Sequence, residues 1–153
     1  MTGQPTTVAD RLDGIAAELA ELEPRERLEL LLEFADALPA LPARYQAQRD
    51  AGENRVHECQ TPVYLWVELS SDSRVQLYAE VAEEAPTVKG FVGILVQAFS
   101  GANPQEVIAV QSNLLSRLGL LEAVGMVRMR GLTAVLNRIR AEVVKAQDAV
   151  KSR

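Results

Sequence analysis

Cys59 and His57 are the chain's only cysteine and only histidine, and they lie two residues apart in the polar stretch Glu53-Asn54-Arg55-Val56-His57-Glu58-Cys59-Gln60-Thr61-Pro62. A thiol reacts as its thiolate, and a neighbouring cation lowers the pKa that sets how much thiolate is present. Arg55 and His57 are the candidate cations, opposed by Glu58, and the Gln60 amide can donate a hydrogen bond to a thiolate or persulfide. The pattern suits nucleophilic sulfur chemistry at Cys59. It also suits a buried structural cysteine, the commonest fate of a lone one. Alkylation separates the two: a reactive thiol labels fast in the folded protein, a structural one only on unfolding.

The same residues exclude other chemistries. One cysteine cannot form a disulfide within the chain, and cysteine-based zinc sites or self-sufficient Fe–S sites need three or four thiolate or imidazole ligands. A Ser-His-Asp site would have to use His57, and nothing around it supports one. No separate base or oxyanion device accompanies Cys59, which argues against a free-standing thiol enzyme. The net charge of −5 argues against nucleic acid. The longest apolar stretches, such as 91–98, fall far short of the roughly 20 residues of a membrane helix. Met1–Pro5 lacks the basic cluster and apolar run of a signal peptide, so a cytoplasmic protein is expected. With 153 residues, 48% of them hydrophobic, the chain suits one domain over residues 1–153, with flexible ends at 1–7 and 148–153.

The elements around Cys59 follow from periodicity. Leu12, Ile15, Leu19 and Leu22 give a helix over 8–22, capped by Thr6 or Thr7. Pro24 opens a second helix, with Leu28, Leu31, Leu32, Ala35 and Leu38 as its stripe, and Pro39–Pro42 ends it. The period then becomes two: Val63–Leu69 and Val75–Val81, joined by Ser70-Ser71-Asp72-Ser73, form a hairpin. A short extra strand is expected near Asn54–Val56. Tyr64 and Trp66 share one strand face, expected to lie under a helix. A helix from Pro86 to Gly101 follows, then short ones after Asn103 and around Leu114–Leu118, and a last one from about Arg128 to about Val150. The order predicts an α+β domain, helices packed on one face of a small antiparallel sheet. Charge is polarised: residues 8–38 carry nine acids against three arginines, and residues 114–153 carry eight basic residues against three acids. Such polarity can orient a protein partner, and it is equally the mark of two solvated helix faces.

The stretch Asn54–Leu69, centred on Cys59-Gln60, resembles the signature of the SufE family, whose core reads roughly V-x-G-C-Q-S-x-V-W. Flanking blocks extend the likeness over roughly residues 10–145: Leu38-Pro39 with Arg44-Tyr45, Val88-Lys89-Gly90-Phe91, Leu118-Gly119-Leu120, and Arg128-x-x-Gly131-Leu132 with Ile139-Arg140. The chain departs from the pattern at Glu58, where Gly is usual, at Thr61-Pro62, and at Met126 and Arg130, where Pro and Asn are frequent. Glu58 puts a charge beside the thiol and removes a φ-permissive residue.

The resemblance implies a SufE/IscU-like fold and a sulfur acceptor rather than an enzyme. Cys59 would take sulfur from the active-site persulfide of a SufS-type cysteine desulfurase, stimulate that enzyme, and relay the sulfur to an Fe–S scaffold. No cofactor is implied here, since pyridoxal phosphate belongs to the desulfurase. Arg128 would sit near the sulfur-accepting loop or dock the desulfurase, with Arg55, His57, Glu58 and Gln60 as loop-supporting or partner-binding residues. Cys59 is expected on a loop at one end of the sheet, shielded by Val63 and the helix starting near Val88.

Overall fold

The computed structural model describes residues 6–152, apart from the side chain of Leu115. Three helices come first: α1 (Val8–Ala20), α2 (Pro24–Ala37) and α3 (Ala43–Asp50). A hairpin of β1 (Val63–Leu69) and β2 (Val75–Val81) follows, and then α4 (Pro86–Phe99), α5 (Pro104–Ile108), α6 (Leu114–Arg117), α7 (Leu121–Val124) and α8 (Met126–Lys151). Of the ends expected to be loose, residues 1–5 and 153 lie outside the described residues, Thr7 caps α1, and α8 runs on to Lys151.

Alternation builds the sheet. The strands pair antiparallel from Val63↔Val81 to Leu69↔Val75. Val63, Leu65, Leu77, Ala79 and Val81 are buried on one face, in the core shared with α4 and α8. The extra strand expected near Asn54–Val56 is reduced to one bridge, Arg55↔Tyr64, held by Val56 N–H to the Val63 carbonyl (2.9 Å) and Leu65 N–H to the Asn54 carbonyl (3.1 Å).

The expected α+β arrangement is present, and one further helix covers the sheet's second face. Tyr45 of α3 stacks on Trp66, with centroids 4.9 Å apart, and Gln48 accepts from the indole N–H at 2.7 Å. Arg44 lies over the Tyr45 and Tyr78 rings and reaches Glu68 at 2.8 Å. Burial pushes the Glu68 pKa up, but hydrogen bonds from Tyr45 and Arg44, with the Arg44 charge, together leave it lowered.

The tightest packing is between α2 and α4. A Cβ on Gly90 would drive into the Leu31 carbonyl and lie 2.8 Å from Leu31 Cγ, and one on Gly93 would meet the Phe34 backbone. Hydrogen is the only side chain that fits, so Gly90 is set by close approach rather than by its backbone angles. Gly90→Ala is therefore expected to destabilise by about 3 kcal/mol, net of a helix-propensity gain of about 1 kcal/mol. Thermal unfolding should show a fall in melting temperature of roughly 6–12 °C.

Arginines donate to the carbonyls at two helix ends, where intrahelical donors run out. Arg11 donates to the Ala98 and Ser100 carbonyls at the end of α4, and Arg27 to the Leu19 and Leu22 carbonyls at the end of α1. Arg140 holds the loop before α6 through the Val110 carbonyl and Ser112.

Candidate functional site

The chain reaches Cys59 through a tight turn. Asn54 sits at φ 63°, a left-handed conformation that Asn tolerates, and its amide donates to the Leu65 carbonyl at 2.9 Å. Cys59 N–H then donates to the Val56 carbonyl at 3.2 Å, which folds Val56-His57-Glu58-Cys59 back on itself. His57, Glu58 and Gln60 are exposed, while Val56 and Cys59 turn inward. Glu58 does not adopt a positive φ, so replacing the family's usual Gly causes no backbone strain at this turn.

Cys59 is 4% exposed. Its turn lies where β1 begins and β2 ends, and Ala82 N–H bonds to the Pro62 carbonyl there at 3.1 Å. Val63 and Val88, the expected walls, are both fully buried in the same core. The wall not foreseen is α8. At Gly131 the helix backbone lies directly on the cysteine: a Cβ there would stand 3.0 Å from Sγ, 3.2 Å from Cα and 3.4 Å from Cβ of Cys59. The one signal for it in the sequence was a glycine inside an apolar helical stripe, a pattern that often marks close backbone approach.

Burial pushes the thiol pKa up, while a hydrogen bond from the Thr61 backbone and the Arg55 charge pull it down. Burial is the largest of these effects, so at rest the cysteine is held as the neutral thiol. Cys59 therefore contributes its full share of stability below the ordinary thiol range, and loses it as pH rises through the raised folded value. Arg55 is half-buried, and its Nε is shut off from solvent with no hydrogen-bond partner among the described residues. Such a donor favours an anion beside it. Arg55→Gln is expected to shift the pH profile of Cys59 alkylation to higher pH, slowing labelling under mildly alkaline conditions. An unchanged profile would remove Arg55 from the site.

Arg128 is exposed on the first turn of α8, one helical step of three residues before Gly131. Its guanidinium lies 3.5 Å from the Thr87 hydroxyl at the start of α4. The cysteine turn, the start of α4 and the start of α8 thus meet at one end of the molecule, with Arg128 on the surface there. Among the described residues, no group of three His, Cys, Asp or Glu side chains could hold a metal ion.

The family model for SufE, the Fe-S metabolism associated domain, matches residues 13–143. The chain belongs to the SufE family. Its relatives include an uncharacterized SufE-like protein of Mycobacterium tuberculosis, 34% identical over 142 residues that cover 93% of this chain and 97% of that one. A chloroplastic quinolinate synthase of Nicotiana tabacum is 32% identical over 76% of this chain but only 16% of its own length. The solution structure of a hypothetical protein from Thermus thermophilus superposes with a TM-score of 0.79 at 35% identity, covering 90% of this chain and 96% of the other. Membership ties this SufE-family chain to Fe–S metabolism. None of its described helices is long and apolar enough to cross a membrane.

Proposed function

We propose that this SufE-family protein is a sulfur acceptor. Cys59 takes sulfane sulfur from the persulfide of a SufS-type cysteine desulfurase in the cytoplasm, stimulates that enzyme, and passes the sulfur to an Fe–S scaffold. The observation that carries the reading is the setting of the family's motif cysteine: the only thiol in the chain, on a turn with an exposed tip, its sulfur turned inward against Gly131 of α8.

The transfer balances without an added oxidant. The Cys59 thiolate attacks the outer sulfur of the donor persulfide, a new S–S bond forms on Sγ, and the donor S–S bond breaks as its thiolate leaves. The shielded setting protects the product, since a persulfide open to water meets reductants and oxidants. The protein is read as a carrier and activator, and no cofactor of its own is proposed. Incubation with a desulfurase and free cysteine, followed by mass spectrometry, tests the reading: one or more sulfur atoms should appear on Cys59. No added sulfur would overturn it.

Arg128 is read as part of the docking surface, because the two reacting sulfurs must come into contact and Arg128 stands beside the covered thiol. Arg128→Ala is expected to raise the concentration needed for half-maximal stimulation about three-fold at low salt, the effect of an exposed charge pair worth about 0.7 kcal/mol. The difference should fade at high salt, since such charges are screened over about 8 Å at physiological ionic strength. Equal stimulation by variant and parent at every salt concentration would make Arg128 a solvated residue only.

A further inference from the structure

The first turn of α8 carries an unusual load of exposed apolar surface. Met126 and Val127 are each 66% exposed, the most of any large hydrophobic residue described, and Leu121 on the adjoining α7 is 42% exposed. First turns of helices favour acids, which complement the dipole; this one has none, and no Asp or Glu occurs anywhere in residues 123–141. Arg128 and Arg130 stand exposed in the same stretch, and the helix N-terminus has Gly125 as its cap with no side chain accepting from it. The patch is thus apolar at its centre, with Arg128 and Arg130 exposed on the α8 side and one exposed acid, Glu122, beside Leu121 on α7. Met126 and Arg130 are also two of the positions where this chain departs from the family pattern.

Its place on α8 matters. Val127 precedes Gly131, the residue lying on Cys59, by four positions, or about 6 Å along the helix axis. A protein that approaches close enough to exchange sulfur with Cys59 therefore also reaches this turn.

We propose that Met126, Val127 and Leu121, bordered by Arg128 and Arg130, form the docking surface for the sulfur-donor protein, whose matching surface is an apolar patch edged by carboxylates. The proposal rests on the sulfur-acceptor reading above and adds the chemistry by which the donor is selected. The apolar centre supplies affinity through burial, and the arginines and helix N-terminus supply orientation and attraction to acids. A second copy of this chain fits less well: its acidic α1–α2 surface exposes only Leu28 among the large hydrophobics.

The test uses the whole chain and the cysteine desulfurase of the same organism as the probe, with affinity read by titration calorimetry at low and high salt. Two double variants are compared with the parent, Met126→Ser with Val127→Ser, and Met126→Asp with Val127→Asp. Both side chains are exposed, and Asp in a first turn favours the helix, so neither pair should unfold the protein. The serine pair should weaken binding at least ten-fold with the salt dependence unchanged. The aspartate pair should weaken it at least a hundred-fold at low salt, through repulsion of the donor's carboxylates. Alkylation of Cys59 by a small reagent should match the parent in both. Binding by the serine pair within two-fold of the parent, while the parent still gains sulfur on Cys59, overturns the docking surface and leaves the sulfur-acceptor reading standing. Self-association of the parent that the aspartate pair abolishes, with desulfurase affinity unmoved, overturns it in favour of a second copy. A parent that neither binds the desulfurase nor gains sulfur overturns both.

Discussion

Cys59→Ser is expected to fold as the parent does and to accept no sulfur at all. The substitution is close to isosteric, and the serine oxygen can still accept the Thr61 backbone hydrogen bond that the thiol receives. Burying a hydroxyl in place of a thiol at a 4% exposed position costs about 1–2 kcal/mol, a fall in melting temperature of a few degrees. The chemistry, by contrast, is abolished, because an oxygen nucleophile yields no persulfide and the chain holds no second thiol to substitute for it. Mass spectrometry after exposure to a desulfurase and cysteine should show sulfur on the parent and none on the variant. Desulfurase turnover should lose its stimulation in the same experiment. If the serine variant stimulates turnover as well as the parent, activation works through docking alone and the relay is wrong.

Gly131→Ala should turn a slow thiol into a fast one. The added methyl would lie 3.0 Å from Sγ and 3.2 Å from Cα of Cys59, tighter than ordinary van der Waals contact, and one of those atoms belongs to backbone. Either α8 or the cysteine turn must move. The 26-residue helix is anchored by Leu132, Val135, Leu136, Ile139 and Val143 in the core, whereas the turn is closed by the 3.2 Å backbone bond from Cys59 to Val56 and the Thr61 bond to the thiol, and has an exposed tip. The turn should yield. Alanine also favours the helix by about 1 kcal/mol over glycine, which keeps α8 in place. Alkylation of Cys59 in the folded protein should therefore accelerate by at least about ten-fold, the effect of about 1.4 kcal/mol on the opening equilibrium. The variant's melting temperature should stay within a few degrees of the parent's. Unchanged labelling would mean that the turn, not the helix, is the rigid partner.

Most of the fold was legible because its elements bury regular stripes. Leu12 and Leu19, the alternating Val63-Leu65 and Leu77-Ala79-Val81, and the Leu132–Val143 face are all in the core they were expected to form. Helix α3 was not legible, because Ala-Arg-Tyr-Gln-Ala-Gln-Arg-Asp buries a single ring, Tyr45, and one ring makes no stripe. The four-residue α7 escaped for the same reason, and the extra strand shrank to a bridge because only Arg55 aligns with Tyr64. At the site, the sequence marked Cys59 and the polar turn around it, since residue type and local polarity are local properties. The contact of Gly131 with Cys59 is a property of the packed fold, and the sequence marked it only by a glycine inside an apolar helical stripe. The arginine clamps on carbonyl ends were invisible for the same reason: Arg11 meets Ala98 across 87 residues of chain.

The seal over Cys59 also has a history in time. Gly131 is made 72 residues after the cysteine it covers, so during synthesis at about 5–20 residues per second the thiol waits roughly 4–14 s before its lid even exists. Throughout that interval the nascent chain carries an unshielded cysteine, open to sulfenic acid formation or to capping by small disulfides. A bulky cap added then, far larger than the single sulfur of a persulfide, would have to be closed over by an α8 backbone whose Gly131 Cβ position already lies 3.0 Å from Sγ. Newly made protein capped in this way on the ribosome should therefore emerge with its turn ajar, and carry its damage where a reductase can find it.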